Sequence, residues 1–377
     1  MNILSKFSAA LVGGGAFFSP SALAHDAQKP HVEPNGSIHV PAFDLPESVF
    51  LSGESRAALK RWRDVYSGDI AATFEACPAF EGADMSDIPN IRKCRAEFFY
   101  KTALYQSVVS RYNVTITPKT ISGVYVEIFV PVDGVAIDNK SRVLINLHGG
   151  GFTTGSRISS RMESIPICSV GKIKIISIDY RMGPEHRFPA ASEDVVSVYR
   201  ELLKEYEPEN IGVYGSSAGA WLTAQAIARF LKEDLPLPGA VGMFVGGAPT
   251  SLNHAAFAWE RSDGAYMNGA LERHNYDGET QTISYFQGVD IESPLAAPGG
   301  YNDVMARFPP SVLITGTRDF QLSSVVTTHA QLTRLGVKAD LHVFEGMEHF
   351  LMFNPEFPET REAYNVIVRF FDEHLGK

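Results

Sequence analysis

Between Ile211 and Trp221 the chain reads IGVYGSSAGAW, an apolar run that ends in its smallest residues before a helix-like stretch, WLTAQAIARFLK. Gly215-Ser216-Ser217-Ala218-Gly219 fits G-x-S-x-G between a strand and a helix, where the middle serine sits on a sharp, strained turn. Bulky neighbours would clash there, so the glycines two before and two after single out Ser217, and Ser216 is the variable position. A serine so placed is suited to nucleophilic acyl transfer, provided that a histidine takes its proton and a carboxylate orients the histidine.

Such a partner pair is expected downstream, acid before base. Asp319 stands in TRDF after the strand-like run SVLITG, and His349 in MEHF after ADLHVFEG. Other histidines fit less well: His329 falls mid-helix, His342 mid-strand, and His254 and His274 in an irregular segment. Asp340 opens a strand and Asp303 precedes one, which leaves Asp319 as the acid. The developing oxyanion needs backbone N–H donors. HGGGF, His148 to Phe152, follows a strand, so the amides of Gly149, Gly150 and Gly151 are candidates, with that of Ala218 at the start of the following helix. The glycine run lacks both the G-x-G-x-x-G spacing and a G-K-[ST] ending, which sets a phosphate loop aside. His148 and His186 read as structural residues.

The elements that must position these groups alternate. Two strands span NVTITPKTISGVYVEIFVP, and apolar strands follow in RVLINL, KIKIISI, NIGVYG, AVGMF, SVLITG and KADLHVF. Helices intervene at AASEDVVSVYRELLKEY, AGAWLTAQAIARFLK and LSSVVTTHAQLTRLG, and FPETREAYNVIVRFFDEHL closes the chain. This predicts an α/β fold with a mostly parallel, doubly wound sheet covered on both faces. SGESRAALKRWRDVY and IRKCRAEFFYKTALYQSVVSRY read as helical. Residues 25–112 are thus expected to form an N-terminal arm and cap helices, and 250–292 a cap insertion. The catalytic domain is expected from 113–249 and 293–377. Aromatics of the insertion, Phe257, Trp259, Tyr266, Tyr285 and Phe286, could line an apolar pocket or simply pack.

HGGGF, DYRMGPEHRFPAASED, GSSAG, SPLAAP, GTRDF and EGMEHF, in this order, resemble the hormone-sensitive-lipase-like carboxylesterases of the α/β-hydrolase superfamily. The resemblance covers about Val124 to the C-terminus. It implies an α/β-hydrolase fold with a helical cap and hydrolysis of small to medium acyl esters through an acyl-enzyme. Ser217, His349 and Asp319 would be the triad, with no metal or organic cofactor. There are two departures: the family often has Asp or Glu where Ser216 stands, and its acid motif often reads D-P-L-x-D rather than GTRD. A lactonase, amidase or deacetylase would use the same triad. A non-catalytic ligand binder of this fold is disfavoured by the presence of His349.

Composition bounds the rest. The 377 residues are 45% hydrophobic and 20% charged, which is ordinary globular composition, and the net charge of −10 argues against nucleic acid as a partner. Residues 1–24 have the anatomy of a secretory signal peptide: Lys6, an apolar run from Phe7 to Phe18, and Ala22-Leu23-Ala24 as a cleavage site. The run is too short to span a bilayer, so a periplasmic or secreted enzyme without stable membrane insertion is expected. The oligomeric state cannot be read. Of three cysteines, Cys77 and Cys94 could pair, with Cys168 left as a buried thiol.

Overall fold

The computed structural model describes residues 31–36, 38–39, 44–80, 82–250, 284–290 and 292–376. The chain divides into two units, Met1–Pro46 and Glu47–Lys377. In the first, His31–Val32 and Ile38–His39 form a short antiparallel pair.

The second unit is built on an eight-stranded sheet: β1 (Val114–Ile121), β2 (Val124–Pro131), β3 (Val143–Leu147), β4 (Ile175–Ile178), β5 (Ile211–Ser216), β6 (Ala240–Phe244), β7 (Ser311–Gly316) and β8 (Ala339–Phe344). Their order across the sheet is β8-β7-β6-β5-β3-β4-β2-β1. β1 and β2 form an antiparallel hairpin, and β2 is antiparallel to β4; every other pairing is parallel. The chain order therefore reverses around β3 and β4, and the parallel strands β3 to β8 all end at one edge.

The central strands are buried throughout, and their two-residue period divides them between two cores. Val143, Ile145, Leu147, Val213, Val241 and Leu313 face one core. It is closed by α6 (Ala190–Leu202), α7 (Ala218–Lys232) and α8 (Leu322–Arg334). Leu144, Tyr214, Phe244, Val312 and Ile314 face the other. That core is covered by α5 (Ser159–Gly171), α9 (Pro358–His374) and the N-terminal helices.

The N-terminal helices are α1 (Gly53–Arg61), α2 (Ser67–Glu75), α3 (Ile88–Phe99) and α4 (Ala103–Arg111), with a π-helical turn, Trp62–Tyr66, joining the first two. Ser52 caps α1 by accepting the Ser55 N–H. The stretch from Ile91 to Tyr112, which reads as one amphipathic helix, is two. Thr102 adopts an extended conformation and its hydroxyl accepts the Tyr105 N–H, so a fresh helix starts there. α5 has no counterpart in the sequence reading, because it carries an interior proline, Pro166, and is buried over most of its length, so it lacks an amphipathic signature. Cys77 and Cys94 are joined in a disulfide, and Cys168 is a buried free thiol whose pKa burial pushes up to about 12.

Tyr285 and Phe286 are packing residues. Tyr285 stacks on Phe152 at 4.9 Å between centroids, Phe286 meets it edge-on at 5.0 Å, and both are fully buried. Phe257, Trp259 and Tyr266 lie outside the described residues, as do His254, His274 and residues 1–24.

α7 anchors the first core through Phe230, fully buried and stacked on Tyr199 at 4.2 Å. Phe230→Ala is expected to lower the unfolding free energy by about 3–5 kcal/mol. A urea titration checks this: a midpoint unchanged from the parent would show that the site is not part of the cooperative core.

Candidate active site

Ser217 follows β5 directly and is the N-cap of α7, with φ 55° and ψ −118°. A non-glycine residue rarely adopts this backbone, and it persists only where the surroundings over-determine it. Here they do. A Cβ on Gly219 would stand 1.8 Å from the Leu147 carbonyl oxygen, and one on Gly215 would stand 2.4 Å from the same atom. The elbow is thus pressed against the end of β3, and the Ser217 N–H is held by the Phe244 carbonyl of β6 at 2.8 Å. This close approach is the physical reason for the crowd of small residues in GSSAG.

Asp319 and His349 stand in the turns after β7 and β8, at the same sheet edge. The His349 ring bridges the other two residues: Nδ1 is 2.7 Å from Asp319 Oδ1, and Nε2 is 2.9 Å from Ser217 Oγ. With the imidazole neutral, Nδ1–H donates to the carboxylate and Nε2 accepts the serine proton. Asp319 is fully buried and saturated: it also accepts the Thr315 hydroxyl at 2.7 Å and the Gln321 N–H at 2.9 Å. Phe320 stacks on the His349 ring at 4.0 Å. The rival groups are elsewhere. His329 lies on α8 against the Ala339 carbonyl, His342 and Asp340 lie within β8, and Asp303 lies in a short helical turn.

The glycine loop corrects one expectation. The Gly149 N–H is committed, since it donates to Glu163 Oε1 at 3.1 Å. It is therefore not an oxyanion donor. Among the described residues the N–H groups of Gly150, Gly151 and Ala218 donate to no acceptor. His148 holds the loop from within: its ring Nδ1 is 2.8 Å from the Gly149 carbonyl, and it stacks on Tyr180, whose hydroxyl donates to the His148 carbonyl at 2.7 Å. Complete burial depresses the His148 pKa, which keeps the ring neutral. His186 is exposed, and its N–H donates to the Met182 carbonyl at 2.9 Å.

Glu163, on α5, is the residue that sequence reasoning missed. Its carboxyl is buried and takes hydrogen bonds from the Gly149 N–H, from Asn146 Nδ2 of β3 at 2.8 Å, and from the hydroxyl of Ser216, beside Ser217. A signal existed: where the resemblance leads one to expect an acidic residue, Ser216 stands, and a carboxyl is supplied to it from another element. Burial pushes Glu163 up to about 7, against the three hydrogen bonds that pull it down.

A cavity of about 590 Å³ opens onto Ser217 and His349. The N-terminal helices wall it with Trp62, Ile70, Phe74 and Phe99, and Phe350 and Phe353 close the side beyond His349. Among the described residues no group of His, Cys, Asp and Glu could hold a metal ion, and no helix is long and apolar enough to cross a membrane.

A mostly parallel α/β sheet, a strained serine elbow and a Ser–His–Asp hydrogen-bonded chain at one sheet edge define a class of hydrolase. Residues 144–353 match the family described as having the alpha/beta hydrolase fold. The chain belongs to that family, in keeping with its hormone-sensitive-lipase-like motifs. It is 27% identical over 238 residues to an acetyl-hydrolase of Streptomyces hygroscopicus, covering 63% of this chain and 77% of that protein. It is 24% identical over 236 residues to an esterase of Acinetobacter venetianus, covering 62% and 75%. The crystal structure of an esterase, E25, superposes with a TM-score of 0.72 at 29% identity, covering 90% of this chain and 99% of that one.

Glu163 gives a pH prediction with a definite sign. Between its ordinary value of 4.5 and about 7 the native state keeps a proton that the unfolded chain has released. The group's contribution to stability is therefore full below 4.5 and lost as pH rises through about 7. Glu163→Gln cannot titrate. The stability of the parent relative to this variant is expected to fall by on the order of 3 kcal/mol across that window. Denaturant melts at several pH values check this; a difference independent of pH would mean that the carboxyl does not titrate there.

Proposed function

We propose that Ser217, His349 and Asp319 act as nucleophile, general base and orienting acid of a serine carboxylesterase, with the N–H groups of Gly150, Gly151 and Ala218 as the oxyanion hole. The protein is a carboxylic ester hydrolase: its family, its relatives and the 29%-identical esterase structure carry that reading. The assignment of roles is supported above all by the Nε2–Oγ distance of 2.9 Å.

His349 Nε2 takes the Ser217 proton as Oγ attacks the ester carbonyl. The tetrahedral oxyanion is stabilised by the three amides, which no acceptor among the described residues engages. Collapse breaks the bond to the alcohol oxygen, which leaves with the proton from His349 Nε2. Water then repeats the sequence on the acyl-enzyme, releasing the acid and restoring Ser217. Asp319 holds the Nδ1–H tautomer and stabilises the transient imidazolium.

Substrates of small to medium size suit the cavity volume and its apolar wall. Export to the periplasm or medium is proposed with it. The leader-like residues 1–24 support this, as does the Cys77–Cys94 disulfide, a bond that persists in oxidising compartments.

Aryl esters from acetate to decanoate test the proposal. The parent is expected to hydrolyse them with a bias toward short chains, and Ser217→Ala to lower kcat by about 10³-fold or more. Full activity of a folded Ser217→Ala protein would remove Ser217 from the mechanism.

A further inference from the structure

The cavity above Ser217 is apolar, yet two arginines line it, Arg92 and Arg95, and among the described residues no Asp or Glu does. Arg92 is neutralised. Its guanidinium is paired with Glu185 and also donates to the carbonyls of Thr153 and Gly183 at 2.7 and 2.6 Å. Arg95, on α3, differs. Among the described residues it has no ion pair and no hydrogen-bond acceptor, and its Nε is buried without one. It is held instead by aromatic faces, with Cζ 3.9 Å from the Phe80 ring centroid and 5.0 Å from that of Phe74. The disulfide between Cys77 and the adjacent Cys94 ties the segment bearing Phe80 to α3, so the clamp is covalently braced.

A cation in an apolar wall without a counter-charge is costly, and burial accordingly depresses the Arg95 pKa. The two rings hold the guanidinium without engaging its N–H groups as acceptors, and a planar anion would engage these through two parallel N–H bonds.

We propose that the preferred substrate is an ester that also carries a carboxylate, on its acyl or its alcohol side, and that Arg95 is the specificity residue that receives it. This deepens the esterase reading and rests on it. The Arg95 guanidinium, which has no counter-charge among the described residues, is the counterpart of a charge that arrives with the ligand.

The test uses ratios of kcat/KM, anionic over neutral, within one preparation, so that differences in folded fraction cancel. One arm compares 4-nitrophenyl hydrogen adipate with 4-nitrophenyl methyl adipate and carries the charge on the acyl side. The other compares 4-carboxyphenyl butyrate with 4-acetylphenyl butyrate and carries it on the alcohol side. In at least one arm the ratio is expected to fall by about tenfold or more in Arg95→Met, and by less in Arg95→Lys, which keeps the charge but loses the fork. The arm that responds identifies the side. Ratios equal in parent and Arg95→Met in both arms would overturn the proposal while turnover of the neutral esters leaves the esterase reading standing. Should Arg95→Met not fold, an unchanged ratio in Arg95→Lys in both arms overturns it equally. If the folded parent turns over no ester, the esterase reading fails. Calorimetry with monomethyl adipate against dimethyl adipate, on parent and Arg95→Met, then decides the claim on Arg95 alone: selective binding of the monoanion that the variant loses supports it, and no selectivity overturns it.

Discussion

Three pieces of backbone must meet at one point for the site to exist, and a single buried carboxyl joins them. Glu163 reaches from α5 to the end of β3, to the first amide of the glycine loop and to the serine beside the elbow. Burying a carboxyl is unfavourable unless its lone pairs are matched, and here three donors match them. Because the Gly149 N–H points at Glu163, the direction of the following peptides is constrained, and among the described residues the amides of Gly150 and Gly151 engage no acceptor. Remove the carboxyl, and the Gly149 amide and the Ser216 hydroxyl lose their shared anchor.

The elbow itself stores strain at Ser217, and that strain is sustained by neighbours rather than by the turn. β3 and β5 are adjacent in the sheet, which brings the Leu147 carbonyl against Gly215 and Gly219 and leaves no space for side chains. β6 contributes through the bond from the Ser217 N–H to Phe244. The parallel register of the central strands is therefore a condition of the site's geometry as well as of the fold. Asp319 is fixed in the same way, by a hydroxyl from within β7 and an amide from its own turn.

The strands were legible because buried parallel strands are short, apolar runs closed by turn residues, and the candidate residues that meet at the sheet edge were legible because each stands just after one of them. Ser217, Asp319 and His349 could be chosen over His329 or Asp340 on position alone. What stayed hidden depends on pairing between distant elements. α5 shows no amphipathic period, so Glu163 had no element to belong to. Ile91 to Tyr112 conceals its break because Thr102 is an ordinary polar residue until its hydroxyl caps a helix. Which glycine amide is committed cannot be told from HGGGF, since the acceptor lies on another element. The Arg95 clamp likewise needs Phe74 and Phe80, which only the folded chain brings to it.

The family match begins at residue 144, whereas Trp62, Ile70, Phe74, Arg95 and Phe99 all precede it. One side of the cavity wall is thus drawn from outside the matched stretch, and the other, with Phe350 and Phe353, from within it. Changes at Ile70, Phe74 or Phe99 alter the first side without replacing Ser217, His349 or Asp319, whereas Arg92 also holds the Thr153 carbonyl beside the glycine loop. A different ester can then be accommodated by the wall alone, with the residues that would carry out hydrolysis retained.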